Sequence, residues 1–129
     1  YKEVELLNIG SEVYNPKKNS LDLCFTSPPY FDTEKYSDDK EQSYIKFNTK
    51  DKWITGFYKK TMQNCFDGLK INGYMIINIA DTPKLKWIES QTLILAKELG
   101  FELIDTLKLE LSSISGKGAK YEPVFVFRK

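Results

Sequence analysis

Leu21 to Tyr30 reads LDLCFTSPPY, a largely apolar six-residue run halted by Ser27-Pro28-Pro29. A short apolar run bounded by a turn signal predicts a buried strand, and two prolines, which have no N–H to give to a ladder, end it at Thr26. Upstream, Val4 to Ile9 is a similar run closed by Gly10 and predicts another buried strand. Downstream the period changes. Trp53, Ile54, Phe57, Tyr58, Thr61, Cys65, Phe66 and Leu69 recur at three- and four-residue spacings, predicting an amphipathic helix with Thr49 as N-cap and Asn72-Gly73 as its stop. Tyr74 to Ala80 (YMIINIA) is a continuous apolar run, as expected for a strand covered on both faces. Thr82-Pro83 predicts the start of a second helix, with Trp87, Ile88, Leu95, Ala96 and Leu99 as its stripe and Gly100 as its end. Phe101 to Leu111 then alternates, and after the polar stretch Ser112 to Lys120 the run Tyr121 to Phe127 predicts its antiparallel neighbour.

Strands alternating with helices long enough to be crossovers predict an α/β fold: a mostly parallel sheet with an antiparallel final strand pair and helices on both faces. Such sheets bind ligands beyond the carboxyl ends of their strands, where Thr26 to Tyr30 lies. The 129 residues fit one domain (1–129), and 41% apolar with 14% aromatic content fills a core, which excludes disorder. Glu34 to Lys52 is the one strongly polar stretch and is expected to form a mobile loop. Lys+Arg (19) nearly balances Asp+Glu (18), so no chain-wide basic field draws the protein to nucleic acid. Histidine is absent, which removes Ser-His-Asp and Cys-His nucleophiles and most zinc sites; no metal is expected. Cys24 and Cys65 lie in apolar stretches and read as core fillers in a reducing, cytoplasmic setting. No apolar run is long enough to span a membrane, and no signal peptide is visible. The chain opens with Tyr1, not Met, and is expected to be a piece of something longer.

Ser27-Pro28-Pro29-Tyr30 follows its strand directly, so its polar atoms are expected at the sheet's rim. Consecutive prolines offer carbonyl acceptors on a fixed backbone, Ser27 adds a hydroxyl that can accept, and Tyr30 adds a flat π surface. That set suits an amino group on an aromatic ring. A Pro-rich turn that merely breaks the strand is the alternative.

Leu21 to Tyr30 resembles motif IV of the AdoMet-dependent DNA amino-methyltransferases, whose core is Asp, Asn or Ser, then Pro-Pro, then Tyr, Phe or Trp, after the fourth strand of a Rossmann-like sheet. The elements from Thr49 onward resemble the second half of that fold, and Tyr121 to Lys129 resembles its closing Glu-containing strand. The resemblance implies a partial Rossmann-like methyltransferase sheet. It implies that Ser27 Oγ and the Pro28 carbonyl accept the N–H bonds of an exocyclic amine, favouring the pyramidal form that attacks the AdoMet methyl in line. Tyr30 would stack on a base turned out of duplex DNA, with Pro29 stiffening the corner and Phe31 as a second apolar wall. Ser at the first position resembles the N4-cytosine branch more than the N6-adenine one. Cytosine-C5 chemistry is disfavoured, because neither cysteine follows a proline.

The family's Phe-x-Gly-x-Gly cofactor loop is absent from these residues, so the remaining half of the methyltransferase is an expected partner and this portion alone is expected to be inactive. Gly10, Ser11, Thr26 and Asp81, at strand ends, are the candidate AdoMet contacts; simple turns, and for Asp81 a helix start, are their competing readings. Tyr36 and Tyr44, with Phe47, punctuate the polar loop and are candidates to order over a bound base. Lys46, Lys50, Lys52, Lys59 and Lys60 are candidate phosphate contacts diluted by Asp38, Asp39, Glu41 and Asp51. Glu122 is expected to hold the preceding loop by hydrogen bonds. The competing functions are an RNA or protein-glutamine amino-methyltransferase and a non-catalytic nucleic-acid-binding fragment; site-specific DNA methylation of the restriction-modification type is the favoured one.

Overall fold

A computed structural model describes residues 4–111 and 120–129. The strands are β1 (Leu21–Thr26), β2 (Leu69–Asn78), β3 (Glu102–Leu111) and β4 (Lys120–Arg128), and they form one four-stranded sheet in the order β1-β2-β4-β3. Two short helices, α1 (Ser43–Lys46) and α2 (Lys50–Lys52), precede a π-helical segment (Trp53–Tyr58) that runs into α3 (Lys59–Gly68); α4 (Ile88–Leu99) joins β2 to β3. Thr49 caps α2 as expected, its side chain accepting from the Lys52 N–H at 3.2 Å.

The mixed α/β sheet is present, with the parallel relation carried by β1 and β2 alone; β2–β4 and β3–β4 are antiparallel. Along β2, Met75 and Ile77 share a face with Phe127 and Phe125 of β4, and all four join one buried cluster with Met62, Leu95, Ala96 and Phe101. This is the face that α3 and α4 cover. The opposite face carries Leu23, Phe25, Tyr74 and Leu107 in the open, and among the described residues no helix covers it. Helices on both faces are therefore not seen in these residues.

Three further expectations from the sequence need correction. Val4 to Ile9 forms no strand: the segment has no ladder partner among the described residues, and Val4 and Leu6 are exposed. The long helix stops at Gly68, not at Asn72-Gly73. A Cβ at Gly68 would fall 2.4 Å from Pro16 Cγ, so only glycine lets the end of α3 approach that segment so closely. Asn72-Gly73 instead lies within β2, where Asn72 has a φ of 65°, and the strand bulges between the pairs Leu21↔Leu69 and Leu23↔Tyr74. Finally, Thr82-Pro83 opens a single turn and not α4. The Thr82 hydroxyl accepts from the Leu85 N–H at 3.0 Å, but Trp87 then takes a φ of 67°, which breaks helical continuity and leaves its ring exposed instead of in the stripe. The alternating run 102–111 is a strand as expected, although a bulge between Leu103 and Asp105 changes which residues share a face. The loop expected at 112–119 lies outside the described residues.

Candidate active site

The parallel register sets the site. Thr26 pairs with Ile77, so the next residues along each strand, Ser27 and Asn78, stand side by side at the carboxyl rim. Ser27 is exposed, and its Oγ donates to Asn78 Oδ1 at 3.4 Å; Asn78 Nδ2 in turn donates to the Pro123 carbonyl of β4 at 3.1 Å. Pro28 is buried beneath this corner. The Pro29 carbonyl accepts from the Phe31 N–H at 3.0 Å, whereas that of Pro28 meets no donor among the described residues.

Tyr30 is half-buried against the core, and its hydroxyl donates to Glu122 Oε2 at 3.2 Å. Burial and the Glu122 carboxylate push its hydroxyl from the ordinary 10.0 up to about 12, so it stays a neutral donor. Glu122 therefore holds the loop after β1, through the tyrosine itself; the loop before β4, which it was expected to hold, lies outside the described residues. Phe31, at a φ of 50°, turns inward and meets Trp53 edge-to-face with centroids 6.2 Å apart.

Beside Pro29 opens a cleft of about 250 Å³, lined in part by Gly10, Glu12, Glu34, Tyr36, Tyr44 and Phe57. The fold thus brings Gly10, Pro29, Tyr36 and Tyr44 together, although they are distant in sequence. The polar stretch 34–52 forms the cleft's outer wall and is tied down at two points: Lys46 bridges buried Glu12 and exposed Glu41 at 3.2 Å each, and the Trp53 indole donates to Ser43 at 3.1 Å. The Tyr36 hydroxyl is engaged by Glu34.

The remaining candidates lie elsewhere. Ser11 faces Thr61, their hydroxyls 2.9 Å apart, in a small recess that also contains Cys24 and Cys65. Both cysteines pack against the core cluster; the Cys65 thiol hydrogen bond holds the Cys24 thiol below its ordinary range, and the same contact with burial pushes Cys65 up. Asp81 caps α4 at a distance: its Oδ1 accepts from the Glu89 N–H at 3.0 Å while its own N–H donates to Glu89 Oε1 at 2.9 Å. Lys59 pairs with Glu98 at 3.6 Å on the surface. Among the described residues no three His, Cys, Asp or Glu side chains converge as a metal site would need, and no helix is long and apolar enough to cross a membrane.

Asn78 is the site residue that the sequence reading missed. The signal was a lone amide inside the otherwise apolar run Tyr74 to Ala80, which must find partners when buried.

Comparison with known proteins gives the family and the fold. A family model described as DNA methylase, of the N6/N4 methyltransferase type, matches residues 21–129. Among solved structures, a protein of Thermus thermophilus described as a candidate DNA modification methylase superposes with a TM-score of 0.62 at 17% identity over 93% of this chain and 50% of its own. The same protein complexed with S-adenosyl-L-methionine gives 0.58 at 15% identity over 94% and 54%. A SAM-dependent methyltransferase of Methanosarcina mazei gives 0.56 at 11% identity over 94% and 65%. These likenesses establish the fold, and the chain spans about half the length of the Thermus protein. No curated protein sequence matches it.

Proposed function

Given that the chain belongs to the N6/N4 DNA methylase family, we propose that it is the catalytic portion of an enzyme that methylates an exocyclic amine of a base turned out of DNA, cytosine N4 ahead of adenine N6. The observation that carries this reading is the corner Ser27-Pro28-Pro29-Tyr30 at the sheet rim, where Ser27 is bonded to Asn78 and Tyr30 to Glu122. Ser27 Oγ and the Pro28 carbonyl each take one N–H of the amine, so its lone pair leaves the ring's conjugation and becomes available. These acceptors are fixed before substrate arrives, so none of their orientation is lost to rearrangement as charge develops. The exposed part of the Tyr30 ring stacks on the base, a contact worth roughly 1–3 kcal/mol. Tyr36 and Tyr44, which line the cleft beside Pro29, are the further contacts we assign to the base.

Bound S-adenosyl-L-methionine would supply an electrophilic methyl group. We place part of its site at the cleft beside Pro29, where Gly10 and Glu12 form one wall and Lys46 already pairs with the Glu12 and Glu41 carboxylates. Gly10, Ser11, Thr26 and Asp81 are the contacts we assign to it, with the rest supplied by the other half of the enzyme. The isolated 129 residues should accordingly transfer no methyl group, in a cytoplasmic, site-specific DNA methylation system of the restriction-modification kind. The test is transfer of labelled methyl from S-adenosyl-L-methionine to DNA by the complete gene product. Tyr30→Ala is expected to abolish transfer while leaving cofactor binding intact, and undiminished transfer overturns the assignment.

A further inference from the structure

We propose that Asn78 is a positioning residue for this corner, fixing the Ser27 hydroxyl hydrogen so that both Oγ lone pairs face the substrate. The inference rests on the reading of Ser27 given above and adds to it the residue that makes the hydroxyl an acceptor. An Asn side chain has a donor end and an acceptor end, and its neighbours decide which way it lies. The Pro123 carbonyl can only accept, so the group 3.1 Å from it must be Nδ2. Oδ1 is thereby turned toward β1. Since Oδ1 can only accept, Ser27 Oγ, 3.4 Å away, must donate to it.

A hydroxyl has one hydrogen and two lone pairs. With the hydrogen committed inward to Asn78, the exposed side of Ser27 presents acceptors alone, which is what the amine N–H directed at it requires. Without Asn78 the hydroxyl rotates, and a fraction of its orientations set a donor against the amine's own donors. Asn78 is only 8% exposed, so it does not meet the substrate and acts through Ser27. The chain of bonds runs from Pro123 on β4 through Asn78 on β2 to Ser27 beyond β1, crossing three of the sheet's strands. Each link fixes the next.

The test compares Asn78→Ala, Asn78→Asp, Ser27→Ala and the double variant Ser27→Ala/Asn78→Ala in the complete gene product, measuring single-turnover methyl transfer to DNA and S-adenosyl-L-methionine affinity. Losing one oriented hydrogen bond corresponds to about a tenfold fall in rate. Asn78→Ala is expected to show that fall with cofactor affinity unchanged, and the double variant should be no slower than Ser27→Ala, because Asn78 has nothing to act on once the hydroxyl is gone. Asn78→Asp keeps the acceptor toward Ser27 and removes the donor toward Pro123, so it should retain more rate than Asn78→Ala. Losses that multiply in the double variant, or equal losses in the Asp and Ala variants, would assign Asn78 a purely structural role and overturn the proposal. If Ser27→Ala lies below detection, the Asp and Ala comparison alone decides. Full activity of Ser27→Ala sinks both this inference and the reading beneath it, whereas a slow Ser27→Ala with multiplying losses sinks this inference only.

Discussion

The two faces of the sheet differ sharply. On one, Met75, Ile77, Phe125 and Phe127 are at most 4% exposed beneath α3 and α4; on the other, Leu23, Phe25 and Leu107 are at least 50% exposed. The same strands supply both faces, since side chains alternate along each one, so burial here comes from the helices and not from the strands' composition. The corner Ser27 to Tyr30 belongs to neither face. It sits at the rim, where hydrogen bonds from β2 and β4 fix it, and so its geometry survives although one side of the sheet is uncovered.

Substitutions can break or sharpen this contrast. Phe127→Ala, on the covered face, should cost about 3–5 kcal/mol in urea denaturation, because the helices above cannot collapse into the cavity. Phe25→Ser, on the open face, should change stability by no more than about 0.5 kcal/mol. Equal losses at the two positions would mean that the open face is buried in solution.

At the rim, Tyr30→Phe removes the bond to Glu122 and should cost about 1 kcal/mol in the same measurement. It also carries a pH signature. Because the folded-state value of Tyr30 is raised from 10.0 to about 12, its contribution is fully present below pH 10 and is lost as pH rises toward 12. Buried Tyr58, also shifted upward, adds to the same alkaline loss. Stability should therefore fall with pH in that window for the wild type and fall less steeply for Tyr30→Phe; parallel curves would show that the tyrosine is not held by Glu122. The smallest effect is expected from Leu23→Thr, which should leave the denaturation midpoint nearly unchanged while raising solubility, as light scattering would show.

Much of this was legible in the sequence because local chemistry decided it. The prolines at 28 and 29 end β1 in any context, and the alternation after Phe101 needs only its neighbour β4. The errors fall where distant contacts decide. Gly68 and Asn72-Gly73 are both plausible helix stops, and the packing of Pro16 against Gly68 selects the first. Thr82-Pro83 carries a proper helix-start signal, yet α4 begins later, where Asp81 and Glu89 exchange hydrogen bonds. Val4 to Ile9 has a strand's composition but no partner edge among the described residues, and composition alone makes no ladder. In the site, Ser27 and Tyr30 stood out as members of the tetrapeptide that directly follows a strand and resembles a family motif. Asn78 did not, because a single amide in YMIINIA acquires meaning only when the register of β1 and β2 sets it beside Ser27.

The central claim is that a donor-free corner grips an amine, and the nucleosides it makes test it most directly. DNA incubated with the complete gene product and S-adenosyl-L-methionine, digested and analysed by mass spectrometry, should contain N4-methylcytosine with the wild type and almost none with Ser27→Ala. N6-methyladenine with the same dependence on Ser27 would keep the corner and change the base; 5-methylcytosine, or an N-methylated base formed equally well without the Ser27 hydroxyl, would contradict the account.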